Sequence, residues 1–149
     1  MLRFSRKADY GLMAVHYIAF HQHDGVVNTK RIAEDLGIPS ELLAKILQRL
    51  AKGKLIASVN GPKGGYVLAR DPSQIRVSEV LQVIDGPRGL VNCYRTTMKC
   101  PQLERCYIRR PVLAIQSGIE RFLETMTLET MNTLNEPPAG ASGLVATRH

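Results

Sequence analysis

Leu12, Met13, Val15, Ile18 and Ala19 place apolar side chains around most of a helical circumference, which predicts a largely buried first helix from about Asp9 to Phe20. His21-Gln22-His23-Asp24-Gly25 interrupts the pattern. Asn28 or Thr29 can then cap a short second helix ending at Leu36, with Ile32, Ala33 and Leu36 inward and Gly37 as its stop. Gly37-Ile38-Pro39 makes a tight turn, and Pro39 suits the first position of a third helix running to about Lys52. Leu42, Leu43, Ile46, Leu47 and Leu50 form the apolar face of that helix, leaving Ser40, Glu41, Ala44, Lys45, Gln48 and Arg49 outward. Two short helices joined by a glycine-bearing turn make a helix-turn-helix pattern, with the second as recognition helix.

Beyond Gly53 the period changes. Leu55 to Val59 and Tyr66 to Ala69 are β-type runs separated by Asn60-Gly61-Pro62-Lys63-Gly64-Gly65, which predicts a hairpin with a basic tip, a wing. A helix from about Ser78 to Ile84 ends at Asp85-Gly86-Pro87. An irregular cysteine-bearing loop follows. From about Pro111, Val112, Ile115, Ile119, Phe122 and Met126 recur at steps of three and four, a seam that seeks another helix. Glu136-Pro137-Pro138-Ala139-Gly140-Ala141-Ser142-Gly143 has no periodicity and predicts a disordered tail. The expected fold is mainly α with a small β wing, a winged helix-turn-helix plus a long dimerisation helix. Its parts are a DNA-binding domain over residues 1–86, a cysteine loop over 87–110, the dimerisation helix over 111–134 and the tail over 135–149.

With 149 residues the chain has room for one compact core and an appended element. A formal charge of +7 with interspersed acids suits a surface that meets a phosphate backbone, here double-stranded DNA. No apolar run approaches the roughly 20 residues that span a bilayer, and no cleavable leader pattern opens the chain, so a cytoplasmic location without membrane contact is expected.

In the helix-turn-helix, Ser40, Glu41 and Lys45 are expected near base edges. Thr29, Lys30 and Arg31 are expected to hold phosphates at the start of the second helix, where backbone N–H groups also favour an anion. In the wing, Asn60, Lys63 and Gly64 belong to the contact surface: glycine permits close approach and Lys63 supplies charge, whereas Tyr66 packs at the hairpin base. The bland alternative is a helical pair with a solvated outer face.

All three cysteines, Cys93, Cys100 and Cys106, fall in one segment with the spacing C-x6-C-x5-C. In a reducing compartment an odd cluster of thiols is a poor disulfide framework. Soft thiolates select iron-sulfur clusters or zinc, and structural zinc sites usually contain a closer C-x2-4-C pair, which this chain lacks. An iron-sulfur cluster is therefore expected, with a metal-free thiol switch as the alternative. Nearby Arg95, Lys99, Arg105, Arg109 and Arg110 would offset cluster charge and lower thiol pKa values. Three thiolates leave a fourth ligand unassigned, and no histidine lies between His23 and His149. Asp9 is the first candidate, ahead of Asp85 and Glu104, although a carboxylate at a helix start is also favoured by the dipole. His16, His21 and His23 are expected to be solvated or hydrogen-bonded. No phosphate-cradling glycine loop, nucleophile elbow or carboxylate pair points to an enzyme.

Over about Leu2 to Asn132 the chain resembles the Rrf2 family of bacterial transcription regulators. The resemblance is carried by Phe4-Ser5-Arg6-Lys7-Ala8-Asp9-Tyr10, Ile32-Ala33-Glu34-Asp35-Leu36-Gly37-Ile38-Pro39, Leu47-Gln48-Arg49-Leu50, Gly61-Pro62-Lys63-Gly64-Gly65-Tyr66 and the three cysteines. It implies a homodimer, most simply a repressor, whose operator binding is controlled by a [2Fe-2S] or [4Fe-4S] cluster on Cys93, Cys100 and Cys106. It also implies a crossed arrangement in which Asp9 of one subunit approaches the partner's cysteine loop. Arg109 stands where some branches carry a ligating histidine, and Asp9 resembles the nitric-oxide-sensing branch, so [4Fe-4S] is preferred. Asn60 replaces a frequent wing arginine, and Ala44 a recognition-helix glutamate.

Overall fold

A computed structural model describes residues 3–87, 89 and 100–135. Helix α1, Arg6–Phe20, is the centre of the core. It starts earlier than its apolar pattern suggests because Ser5, in extended backbone, accepts the Ala8 N–H on its hydroxyl at 3.0 Å. Ala8, Gly11, Ala14, Val15, Tyr17, Ile18 and Ala19 are buried along it.

Helix α2, Thr29–Leu36, is capped by Asn28, whose Oδ1 accepts the Arg31 N–H at 2.7 Å, so the cap is Asn28 and not Thr29. Gly37 closes it in the left-handed conformation at φ 64°, where a Cβ would cost energy. Helix α3 is Ser40–Lys52. Pro39 corrects its expected place: at φ −54° and ψ 127° it precedes the helix, and its carbonyl accepts the Leu43 N–H at 2.9 Å. Leu43, Ile46, Leu47 and Leu50 are fully buried, and Leu42 packs half-buried beside them. Each such side chain contributes about 1.5–3 kcal/mol through removal of apolar surface from water.

Strands β1, Ile56–Val59, and β2, Gly65–Leu68, pair antiparallel with Ile56 opposite Leu68 and Val59 opposite Gly65. Both lie one residue off the expected runs, although the Ala69 N–H still reaches the Leu55 carbonyl at 3.1 Å. Val27 forms a further antiparallel bridge to Tyr66, through N–H to carbonyl bonds of 3.0 and 2.8 Å. The segment entering α2 is thereby tied to the wing. Gly65 makes this approach possible, since a Cβ there would stand 2.2 Å from the Val27 carbonyl oxygen.

Helix α4, Val77–Asp85, lies against α1, and its Glu79 carboxylate accepts the Arg76 N–H at 3.0 Å. The single helix expected over residues 111–134 is two: α5, Arg109–Thr125, and α6, Leu128–Asn135. Met126 is extended at φ −83° and ψ 115°. Its carbonyl accepts the Val77 N–H at 2.8 Å, and the Leu128 N–H donates to Ile75 at 3.0 Å. Thr127 caps α6 by accepting the Thr130 N–H at 3.1 Å. Met126 consequently leaves the seam and packs against the core, where Leu128 is fully buried. The expected tail beyond Asn135 lies outside the described residues. No helix among the described residues is long and apolar enough to cross a membrane.

Candidate nucleic-acid interface and cysteine segment

The buried face of α3 fixes what its other face presents. Ser40, Glu41 and Lys45 are exposed together with Gln48, and Ala44 is half-buried. Arg49 is turned to the protein: its guanidinium donates to the Ile84 carbonyl at 2.9 Å, fastening α3 to the end of α4. At the start of α2, Lys30 and Arg31 are exposed and Thr29 is half-buried. In the wing, Asn60 and Lys63 are exposed, while Gly64 is half-buried in a turn whose N–H bonds to Gly61 at 2.9 Å. The Val27–Tyr66 bridge puts the wing and the start of α2 on one hydrogen-bonded frame. Tyr66 is half-buried against the core, at the base of the hairpin.

The cations at the start of α2 differ in their surroundings. Lys30 lies 3.8 Å from Glu34, with both side chains largely in solvent. Arg31 lies between two carboxylates, 3.5 Å from Asp24 and 3.9 Å from Asp35. Asp35 in turn accepts the hydroxyl proton of Tyr17, on buried α1. The spacing of Arg31 and Asp35, four residues on a helix, is legible in the sequence. The tyrosine beneath them is not, because it comes from another element.

Cys100 and Cys106 are free thiols, half-buried at the two ends of a short segment folded around a 3₁₀ turn at Leu103–Arg105. The Leu103 N–H bonds to the Cys100 carbonyl at 3.1 Å, drawing that segment back on itself. Cys93 lies outside the described residues. Among the described residues no three histidine, cysteine or acidic side chains gather closely enough to hold a metal. The donor chemistry of two unpaired thiols on one short loop nevertheless fits a thiolate-held cluster.

Asp9 is exposed in the first turn of α1, beside a shallow hollow lined by Arg3, Phe4, Ser5 and Arg6. Asp85 is engaged elsewhere, accepting the Ser5 hydroxyl at 2.6 Å, and Glu104 is exposed on the 3₁₀ turn. His21 stacks on Tyr17 at a ring separation of 4.0 Å, with Nδ1 2.9 Å from the Tyr17 carbonyl. His16 meets the Asn135 amide at 3.2 Å.

On α5, Ile115 and Phe122 are exposed at 56% and 62%, large values for side chains of this size, while Val112 and Ile119 are half-buried. Leu103, Tyr107 and Ile108 extend the apolar surface toward the cysteine segment.

The sequence profile of the Rrf2 family, described as an iron-dependent transcriptional regulator, matches residues 4–133. The chain is 33% identical over 127 residues to the HTH-type transcriptional regulator IscR of Yersinia enterocolitica, covering 85% of this chain and 77% of that protein. It is 32% identical over 130 residues to IscR of Photorhabdus laumondii, covering 87% and 79%. Among solved structures, T. potens IscR superposes with a TM-score of 0.74 at 31% identity, covering 95% of this chain and 94% of that one. CymR, the global cysteine regulator of B. subtilis, superposes with a TM-score of 0.77 at 25% identity, covering 91% and 100%. With its two-helix reading head, its pinned wing and this likeness along most of its length, the chain belongs to the Rrf2 family, as a DNA-binding transcription regulator and not an enzyme.

Proposed function

We propose that this protein is a homodimeric repressor whose affinity for a partly palindromic operator is set by an iron-sulfur cluster on Cys93, Cys100 and Cys106, [4Fe-4S] in preference to [2Fe-2S]. Asp9 of the partner subunit is the proposed fourth ligand. The observation that supports the DNA half is the Val27–Tyr66 bridge, which ties the wing to the start of α2, with Lys30, Arg31, Asn60 and Lys63 exposed on those two segments and Thr29 and Gly64 half-buried among them. In this reading Ser40, Glu41 and Lys45 meet base edges and the other residues hold phosphates.

The exposed Ile115 and Phe122 support a second copy as the occupant of the α5 seam, because apolar side chains of this size gain most from leaving water. The regulatory half is supported by the two free thiols on one loop and by likeness to regulators named IscR. When bound, the cluster supplies a redox- and ligand-sensitive group, and the chain's part is to hold it beside the start of α5.

For a useful switch the two states must differ in operator binding by about 1–3 kcal/mol, or about 5–150-fold. The test is native mass spectrometry of anaerobically purified protein, followed by anisotropy titration of apo and holo forms on an operator selected from random duplexes at fixed salt. A cluster-bearing dimer with unequal affinities supports the proposal. Equal affinities remove the sensing role and leave DNA binding.

A second reading, a metal-free thiol sensor, is favoured by the free, half-buried thiols of Cys100 and Cys106 and by likeness to the cysteine regulator CymR. It expects colourless protein even after reconstitution with iron and sulfide, and a change in operator affinity after peroxide.

A further inference from the structure

Arg31 occupies a setting that the other exposed cations at this surface lack. Its side chain is 45% exposed, so it reaches solvent, yet carboxylates face it from two elements. Asp24 belongs to a 3₁₀ turn, Gln22–Asp24, between α1 and α2, whereas Asp35 stands one helical turn beyond Arg31 on α2 itself. Only Asp35 is anchored from below. The Tyr17 hydroxyl donates to its Oδ2, and Tyr17 is 8% exposed on the central helix, with the His21 ring stacked on it. Burial first, and the bond to Asp35 second, raise the Tyr17 pKa above its usual 10.0, so the phenol stays protonated and remains a donor.

Lys30 gives the contrast. It pairs with Glu34 across the same helix spacing, but at 84% and 64% exposure, with both side chains standing in solvent. An exposed pair of that kind contributes little and wanders in solvent. A guanidinium is a planar fork whose worth in phosphate binding depends on orientation, and a floating point charge has no such requirement. The geometry at Arg31 therefore supplies what its chemistry needs: a fixed carboxylate on one side and a looser one on the other.

We propose that Tyr17, acting through Asp35, is a positioning residue that aligns Arg31 for a DNA backbone phosphate, and that Asp24 is the partner the phosphate displaces. The inference rests on the reading of Arg31 as a phosphate contact. Tyr17 touches no DNA in this scheme. Its effect passes through the orientation of Arg31.

The test uses the full-length protein, a fluorescein-labelled duplex of unrelated sequence, and anisotropy titrations over a salt series. Arg31→Ala tests the underlying reading. It should weaken binding about tenfold and make the slope of log K against log salt shallower by about 0.9, the value of one phosphate contact. An unchanged slope would remove Arg31 from the interface and the inference with it.

Tyr17→Phe, which alters no charge, tests the inference itself. It should weaken binding about two- to fivefold with a shallower slope, and should have no further effect when combined with Arg31→Ala. An equal loss in both backgrounds, with the salt slope unmoved, would show a general structural role and overturn the proposal while leaving Arg31 in place. Thermal melts of each variant separate a poorly folded protein from a misaligned one. Asp24→Asn should leave binding equal or stronger. A loss as large as that of Tyr17→Phe would overturn the assignment of Asp24 as the displaced partner.

Discussion

Lys63 stands exposed at the tip of the β1–β2 hairpin, and its charge has no base edge to read there without the rest of the interface. Lys63→Ala should therefore weaken binding to operator and unrelated duplex alike, and lower the salt slope by about 0.9. Anisotropy titration over a salt series checks this, and a loss confined to the operator would place Lys63 at a base instead. Two residues away the constraint is steric. A Cβ on Gly65 would meet the Val27 carbonyl oxygen and the Asn28 Cα, both backbone atoms that cannot rotate aside. Gly65→Ala should cost about 1–3 kcal/mol of stability and reduce DNA affinity by separating the wing from α2. Urea titration and duplex binding read the two effects, and full retention of both would mean the bridge is not what holds the wing. The Gly-Gly pair itself was plain in the sequence. What excludes a side chain at each was not: a Cβ on Gly64 would stand 2.4 Å from the Val59 carbonyl oxygen within the hairpin, and one on Gly65 meets Val27, nearly forty positions away.

At the scale of elements, the joint between α5 and α6 departs most from the apolar pattern. The steps of three and four from Val112 to Met126 suit one continuous helix, but a period describes only which face is apolar. The chain leaves the helix at Met126 because the corner at Ile75 and Val77, just before and at the start of α4, offers backbone partners for Met126 and Leu128. Thr127 then supplies a fresh cap, a signal that was present in the sequence but is weak without that corner.

Helix α6 consequently folds back on α1, where His16 meets Asn135. Burial lowers the His16 pKa from its usual 6.5, and a hydrogen bond with Asn132 partly offsets this. The folded state thus binds the proton less readily than the unfolded chain, and stability falls as pH drops through 6.5 toward the lower folded value. His16→Gln keeps a hydrogen-bonding group at the joint without a titrating ring and should flatten the dependence of Tm on pH between about 7.5 and 5. An equally steep dependence in the variant would assign the effect to other groups.

For the whole molecule, a seam with Ile115 and Phe122 in solvent is an expensive surface to leave uncovered. Phe122→Asp should convert the proposed dimer to monomer at about micromolar concentration, since it places a charge where about 1.5–3 kcal/mol of apolar burial per copy is expected. Sedimentation equilibrium reads the mass, and a variant that remains dimeric would move the interface elsewhere. The same helix begins just after Cys106 and ends at the corner that holds α4. That corner is braced to the strand exit by Arg70, which donates to Glu79 at 2.9 Å and to the Gln74 carbonyl at 3.2 Å. Burial opposes ionisation of Glu79, but the Arg76 N–H and the Arg70 guanidinium outweigh it and hold the carboxyl below its usual range. A continuous line of helix and hydrogen bonds therefore runs from the cysteine segment to the base of the wing.

The sequence by itself determined the elements whose signal is local. The helix-turn-helix follows from apolar spacing and Gly37, and the hairpin from Gly-Pro-Lys-Gly-Gly between two β-type runs; the gathering of all three cysteines in one segment is likewise read directly. Tertiary structure alone decided the placement of Tyr17 beneath Asp35, the bridge from Val27 to the wing, and the break at Met126. The physical reason is common to these three. Each joins groups far apart in the chain through hydrogen bonds or close backbone approach, and such contacts exist only after the hydrophobic faces have packed.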